Sequence, residues 1–321
     1  MSIKDQITRL QTAKSAIKTS IENKGVTVAE DAKLDAYPAL IDSIKVGSGG
    51  GSEHNHPDFF DLLTDNGTKY DELFAGISKD LDTIIKIEDL DVSKVQSVYN
   101  MFNVCKGFRD RTYNFSHFGT IKSLSGLFSQ AGDPNYDTEI LMENVDFTDK
   151  DAGSMFVNSN FRRIRLVNCT LPYDINYLFF YCQSTTTIDL TSTSTANVQH
   201  FNSFFGEDSY LQEIWGELDL SGACDVSYMF SGCGELTTVH FKNIFAFSGI
   251  QDSPEYALDL GVTKISDDCL KEMFNELPDL NNLNLAGASN LIVTLPTSNT
   301  LIESDVQVAI DKGWTVANTN Y

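Results

Sequence analysis

Six cysteines, five histidines and 45 carboxylates are the side chains from which this 321-residue chain could build chemistry. The cysteines, Cys105, Cys169, Cys182, Cys224, Cys233 and Cys269, form no CxxC pair, so neither a zinc site nor a dithiol redox motif is written here. Their even number permits disulfides, but a chain this long has a core without them, and reduced, mostly buried thiols are expected. Cys105, Cys182 and Cys233 each fall three residues after a phenylalanine, which suits a small buried slot. His117, His200 and His240 lie far apart, with no G-x-S-x-G or H-E-x-x-H pattern beside them. His54-Asn55-His56 is an H-x-H step whose copies in a trimer could converge on a metal; the plainer reading is two solvated histidines. Asp146, Asp149 and Asp151 lack the closing Glu of a calcium loop, so surface carboxylates are expected. No catalytic residue, metal or cofactor is assigned. Tyr181, Tyr210 and Trp215 sit near strand-to-loop junctions where they could contact a receptor, although repeat cores also consume aromatics and a core position is the first reading for each.

Charge narrows the partners. Lys plus Arg is 23 against 45 for Asp plus Glu, a net of -22. Residues 1–45 are nearly balanced at +1, so the remainder carries -23. Affinity for nucleic acid comes largely from Lys and Arg displacing counterions, and this surface repels phosphate. No uncharged stretch approaches the ~20 apolar residues of a membrane span, so no membrane insertion is expected. The N-terminus, MSIKDQITRLQTAKSAIK, scatters charge where a signal peptide needs an unbroken apolar core.

The elements that position these side chains fall into three segments. Ile3, Ile7, Leu10, Ile17 and Ile21 recur at spacings of 4, 3, 7 and 4, which predicts a helix over residues 2–22 with one apolar seam. Gly25 suits its stop, and Pro38 fits the first turn of a second short helix. The stripe either self-associates or docks to a partner, or packs in a hairpin on Leu34, Tyr37, Leu40, Ile41 and Ile44. Residues 46–57, VGSGGGSEHNHP, form a flexible linker.

Residues 58–321 contain an internal repeat. Val95-x-x-Val98-x-x-Met101-Phe102-x-x-Cys105 is one unit, and Val226-x-x-Met229-Phe230-Ser231-Gly232-Cys233 is another. Anchoring phenylalanines fall at 74, 102, 128, 156, 179, 205, 230 and 274, with gaps of 23 to 28 residues except the last, of 44. Apolar residues at −7, −4 and −1/0 from an anchor share one face of a short helix or helical turn. The apolar-x-apolar step about nine to eleven residues later fits a short strand. No such unit closes its core alone; stacking buries the anchors in a column and pairs the strands into a parallel sheet. Val306–Val316 suits a terminal cap.

Met229-Phe230-Ser231-Gly232-Cys233-Gly234-Glu235-Leu236-Thr237-Thr238-Val239, with Ile188-Asp189-Leu190 and Leu218-Asp219-Leu220, resembles the leucine-rich repeats of bacterial surface adhesins, over roughly residues 70–316. Lys312-Gly313-Trp314-Thr315-Val316 is similar to the last unit of such arrays. The units at Phe128, Phe156 and Phe205 depart from it, lacking Cys at the third following position. Ala13-Lys14-x-x-Ile17-Lys18-x-x-Ile21-x-x-Lys24-Gly25-Val26-x-Val28, followed by Leu34-Asp35-x-Tyr37-Pro38-x-x-Ile41-x-x-Ile44, resembles a short attachment module at the front of tailed-bacteriophage head or tail fibres.

Together these imply an α/β repeat protein, a leucine-rich-repeat solenoid (58–321) behind a linker (46–57) and a small N-terminal helical attachment and oligomerisation module (1–45). The resemblance implies a non-enzymatic virion protein made in the host cytoplasm. It anchors to capsid or tail proteins through Ile3, Ile7, Leu10, Ile17, Ile21, Tyr37 and Ile41, forms a homo-oligomer with a trimer as first expectation, and projects the repeats toward a host-surface receptor or glycan. The alternatives are a bacterial cell-surface adhesin or interaction module and, from another class, a glycan-degrading fibre using a carboxylate pair.

Overall fold

The computed structural model describes residues 69–175, 177–245, 257–282 and 291–319, with Lys18, Thr27 and Val28 as single positions. The chain divides into two compact units, Met1–Tyr70 and Asp71–Tyr321. The stripe Ile3, Ile7, Leu10, Ile17 and Ile21, with Tyr37, Ile41, the His54-Asn55-His56 step and the boundaries at 45 and 57, lies outside the described residues.

Asp71–Tyr321 is built on a parallel sheet whose strands run in chain order: β1 (Thr112–Asn114), β2 (Glu139–Glu143), β3 (Arg163–Val167), β4 (Thr187–Asp189), β5 (Glu213–Asp219) and β6 (Thr238–Lys242). Register makes each strand a copy of its neighbour. Tyr113, Ile140, Ile164, Ile188 and Ile214 align in one buried row, with Thr112, Glu139, Arg163, Thr187 and Glu213 beside them on the outer face. Alternate side chains of a strand take opposite faces, so one buried row, Tyr113 followed by four isoleucines, runs through the first five strands. β2 and β3 keep this phase. A bulge between Glu213 and Glu217 lengthens β5, and Gly216 sits there because a Cβ would meet the Leu190 carbonyl oxygen at 2.5 Å.

The anchors form a column. Phe74, Phe102, Phe128, Phe156, Phe179, Phe205 and Phe230 stack ring on ring at 5.2 to 5.7 Å between centroids and 1° to 17° between planes. Phe108, Phe115 and Phe161 meet this column edge-on, the arrangement that aromatic quadrupoles favour. Phe274 lies instead in a helix, Asp267–Glu276.

Around each anchor the backbone makes hydrogen-bonded turns rather than α-helix. In the Phe102 unit, Met101, Asn103 and Cys105 donate to the carbonyls of Val98, Asn100 and Phe102, three residues back. The alternate amides, Asn100, Phe102 and Val104, donate to Ser125, Leu127 and Ser129 of the next unit. Every second N–H is therefore committed to a neighbour, and an α-helix, which spends its N–H groups internally, cannot form. The geometry needs a left-handed residue two positions before and two after each anchor. Glu72, Asn100, Ser154, Tyr177, Ser203 and Tyr228 fill the first site and Val104, Gln130, Asn158, Tyr181 and Glu207 the second, all at φ 51° to 64°. Gly126 completes the first row and Gly76 and Gly232 the second, also at positive φ.

Beyond β6 the plan changes. β7 (Leu258–Asp259), β8 (Ile292–Thr294) and β9 (Thr315–Ala317) form a second parallel sheet in that order. Helix α1 (Asp267–Glu276) follows β7, and α2 (Glu303–Asp311) separates β8 from β9. Helix α1 starts at Ser266, whose hydroxyl accepts from the Cys269 amide, with Asp267 and Asp268 in its first turn, where carboxylates suit the positive end of the dipole. Its inner face buries Cys269, Leu270, Met273 and Phe274 against β6, so the edge of the six-stranded sheet is covered by a helix. At the other end of α1, Lys312 Nζ donates to the carbonyls of Phe274, Asn275 and Leu277 at 2.7 to 3.0 Å. Trp314 is buried and stacks on Phe245.

Candidate interaction surface

The side chains that the sequence offered for chemistry are mostly structural. Cys105, Cys182 and Cys233 are fully buried. Their place, three after the anchor, is one column: Cys105, Ala131, Ser159, Cys182, Asp208 and Cys233 occupy it in six successive units. Burial pushes the Cys105 thiol up to about 11 and the Cys182 and Cys233 thiols higher still, so none is a nucleophile near neutral pH. Cys105, Cys169, Cys182, Cys233 and Cys269 are free thiols. His240 Nδ1 lies 2.7 Å from Glu272 on α1, and His117 packs against Phe118. Asp146 accepts from the amide and hydroxyl of Thr148 in a local turn. Among the described residues no group of three or more His, Cys, Asp or Glu could hold a metal ion.

Two features escaped the sequence. The first is a charged network on the outer face of the sheet. Five of the six arginines lie between residues 109 and 165. Arg163 Nε donates to Glu139 at 2.9 Å, and Arg165 bridges Glu139 at 3.3 Å and Asp189 at 2.9 Å. Thr112 also donates to Glu139, at 3.0 Å. Burial raises both carboxyls, but these bonds, and for Asp189 those from Thr191, outweigh it and hold both below the usual range. Register alone sets this up, since Thr112, Glu139 and Arg163 share one row and Arg165 and Asp189 the next.

The second is Asp208, which is buried in the cysteine column. One carboxyl oxygen accepts from the Cys182 amide at 2.5 Å and the other has no hydrogen-bond partner among the described residues. Burial pushes its pKa well above the carboxylate range against the Cys182 bond, with the charge of Glu207 adding to the rise.

The exposed aromatics make the surface most suited to recognition. Tyr181, Tyr210 and Trp215 are on the surface, not in the core that the repeat arithmetic favoured for each, because the phenylalanine column already fills the interior. Tyr99, Tyr173, Tyr177 and Tyr228 join them, the last 70% exposed. Tyr177, Phe180 and Tyr181 form one cluster: Phe180 meets Tyr177 edge-on at 5.5 Å and Tyr181 at 6.1 Å. The Phe180 ring lies over Gly206, where a Cβ would come within 3.2 Å of it. Tyr181 is one rung from Glu207, since its amide donates to Gly206. Tyr177 and Tyr228 occupy the same position two units apart, with Ser203 between, so roughly 10 Å of stack separates their backbones.

Three of these tyrosines are left-handed, at φ 57° to 64°. For a bulky L-residue this costs roughly 1–2 kcal/mol per position, and glycine takes the same places elsewhere in the column without it. A side chain that is exposed and costs backbone energy contributes to something other than packing.

A search of the curated proteins and a search of the solved structures returned no match. One family profile, described as a Mycoplasma protein of unknown function, DUF285, matches residues 61–169 and 173–242. That span covers the stacked units from the first anchor through β6 and more than half of the chain, and the chain belongs to the DUF285 family.

Proposed function

We propose that this chain is a non-enzymatic binding protein of a bacteriophage particle. Its N-terminal module attaches to capsid or tail proteins and assembles the chain, with a trimer the first expectation, and Asp71–Tyr321 is a leucine-rich-repeat solenoid turned toward the host surface. The in-order parallel ladder and the stacked phenylalanines support the solenoid. The observation that carries the binding role is the set of exposed tyrosines held at left-handed backbone positions, Tyr177, Tyr181 and Tyr228. Tyrosine gives a large, stiff, amphipathic contact at low entropic cost, and extended stacks of units present such contacts in rows.

A second reading, an interaction module of a bacterial cell surface, draws support from the family, whose description names Mycoplasma. Both readings share the binding face and differ in address. The test is whether antibody to the chain decorates particles purified from its source, together with the solution mass of the full chain. Particle labelling and a closed oligomer support the virion. Label confined to the cell envelope favours the bacterial reading. Loss of cell binding in a Tyr177→Ala, Tyr181→Ala, Tyr228→Ala variant supports the shared binding role, and unchanged binding overturns it.

A further inference from the structure

The aromatic cluster sits in an unusual stretch of sequence. Between Arg165 and Lys242 there is no lysine or arginine, while nine carboxylates fall there. This run contains the whole of the Tyr177, Phe180, Tyr181 and Tyr228 surface, and it follows the segment that holds five of the six arginines. The cluster therefore has no cation of its own stretch to cover its rings. Along the stack Glu207, exposed, stands one rung from Tyr181.

We propose that this face binds a basic polypeptide segment, with lysine or arginine side chains lying over the Tyr177–Phe180–Tyr181 cluster and Tyr228 while Glu207 meets their charge. The proposal rests on the reading of the chain as a binding protein and names its partner class. Ring faces attract ammonium and guanidinium groups, and a neighbouring carboxylate adds a charge-assisted hydrogen bond. Gly206 keeps the Phe180 ring low, and Gly232 stands beneath Glu207, where a Cβ would come within 2.8 Å of its backbone. Ser203, half-buried, puts a small side chain at the position between Tyr177 and Tyr228. Charge complementarity selects the occupant. An acidic partner is repelled by the exposed carboxylates of this run, Glu207 among them, and a neutral one gains nothing from Glu207.

The experiment titrates the full chain with octalysine, octaglutamate and a neutral maltoheptaose by calorimetry at physiological salt. Octalysine is expected to bind and the other two are not. Tyr181→Ala is expected to weaken octalysine binding about 3- to 30-fold and Tyr181→Phe, which keeps the ring face, less than about 3-fold. General attraction to an acidic protein is separated by charge-matched variants: Glu207→Gln should weaken binding at least about 3-fold, and Asp149→Asn, outside the run, should leave it unchanged. Thermal melts confirm that the variants fold. Equal effects of Glu207→Gln and Asp149→Asn, no effect of Tyr181→Ala, or preference for maltoheptaose overturns the proposal. If octalysine fails to bind while the triple tyrosine variant loses cell binding, the basic-partner proposal falls and the binding reading stands. If the variant keeps full cell binding, the binding reading itself falls.

Discussion

The rings of Phe179 and Phe205 lie 5.6 Å apart and 1° from parallel. They stand 26 residues apart in sequence and at the same position of adjoining units. The amide of Phe179 donates to the carbonyl of Phe204, and that of Phe205 to Met229. One backbone bond per unit thus fixes the height of each ring, and the ring fills the space that the bond defines. From Phe102 to Phe205 each anchor has a stacked neighbour above and below.

The coupling can be measured. Phe156→Ala, with stacked partners on both sides and full burial, should cost about 3–5 kcal/mol in urea unfolding. In a stack whose stability is a sum of units and nearest-neighbour interfaces, this change should also broaden the transition. Phe118→Ala removes an equally buried ring that meets Phe115 outside the column, and should leave the transition as sharp as the parent's. Equal broadening at both sites would show that the column does not carry the coupling.

The left-handed tyrosines make an opposite prediction. Tyr228→Gly relieves roughly 1–2 kcal/mol of backbone strain and adds roughly 0.5–1 kcal/mol of unfolded-state entropy. The folded chain should be as stable as the parent or up to about 1 kcal/mol more so by thermal melt. Binding to the cognate surface should weaken. A loss above about 2 kcal/mol would mean that Tyr228 packs rather than projects. Gly126→Ala should destabilise, because a Cβ there would meet the Asn100 side chain at 2.2 Å.

The period, seven of the eight anchor positions and the buried cysteines were legible because repetition multiplies a weak signal: one phenylalanine says little, and seven at a common interval fix the phase. The turns around the anchors were not. An apolar spacing of 3, 3 and 1 is common to a helical turn and to the turns found here, and only the backbone shows that alternate amides leave for the next unit. Nor could the sequence reveal that Glu139 meets Arg163 and Arg165, since those contacts depend on register across β2 and β3. Tyr181 was noticed as a receptor contact, but aromatic composition alone could not move it from core to surface. What does so is the count of rings that the column already accommodates.

The outer-face network should govern the acid limb of stability. Glu139 and Asp189 are held below the usual carboxylate range by their arginine, threonine and backbone bonds against the opposing effect of burial. A depressed carboxyl contributes stability that is present above its unfolded pKa, near 4, and lost as pH falls through the folded value. Glu139→Gln removes the charge that Arg163 and Arg165 share and should cost about 1–3 kcal/mol at pH 7. The variant and the parent should converge as pH drops toward 3 in urea titrations. A pH-independent difference would assign the loss to shape alone.

Asp208 should act with the reverse sign. Its carboxyl is raised by burial and by the Glu207 charge, outweighing the Cys182 amide bond, so in the folded chain it holds its proton above the ordinary carboxylate range. The groups facing it, Cys182 and Cys233, have thiols raised by burial and stay neutral through pH 8. The unfolded chain releases the Asp208 proton near pH 4. Its contribution is therefore fully present below that value and lost as pH rises toward the folded pKa, by up to about 1.4 kcal/mol per unit. Asp208→Asn keeps a carbonyl oxygen for the Cys182 amide and cannot ionise. Subtracting the variant's urea stability from the parent's, pH by pH from 4 to 8, should give a line that falls with pH and isolates this group from the rest of an acidic surface. A flat difference would mean that Asp208 is ionised in the fold, with its second oxygen reaching water.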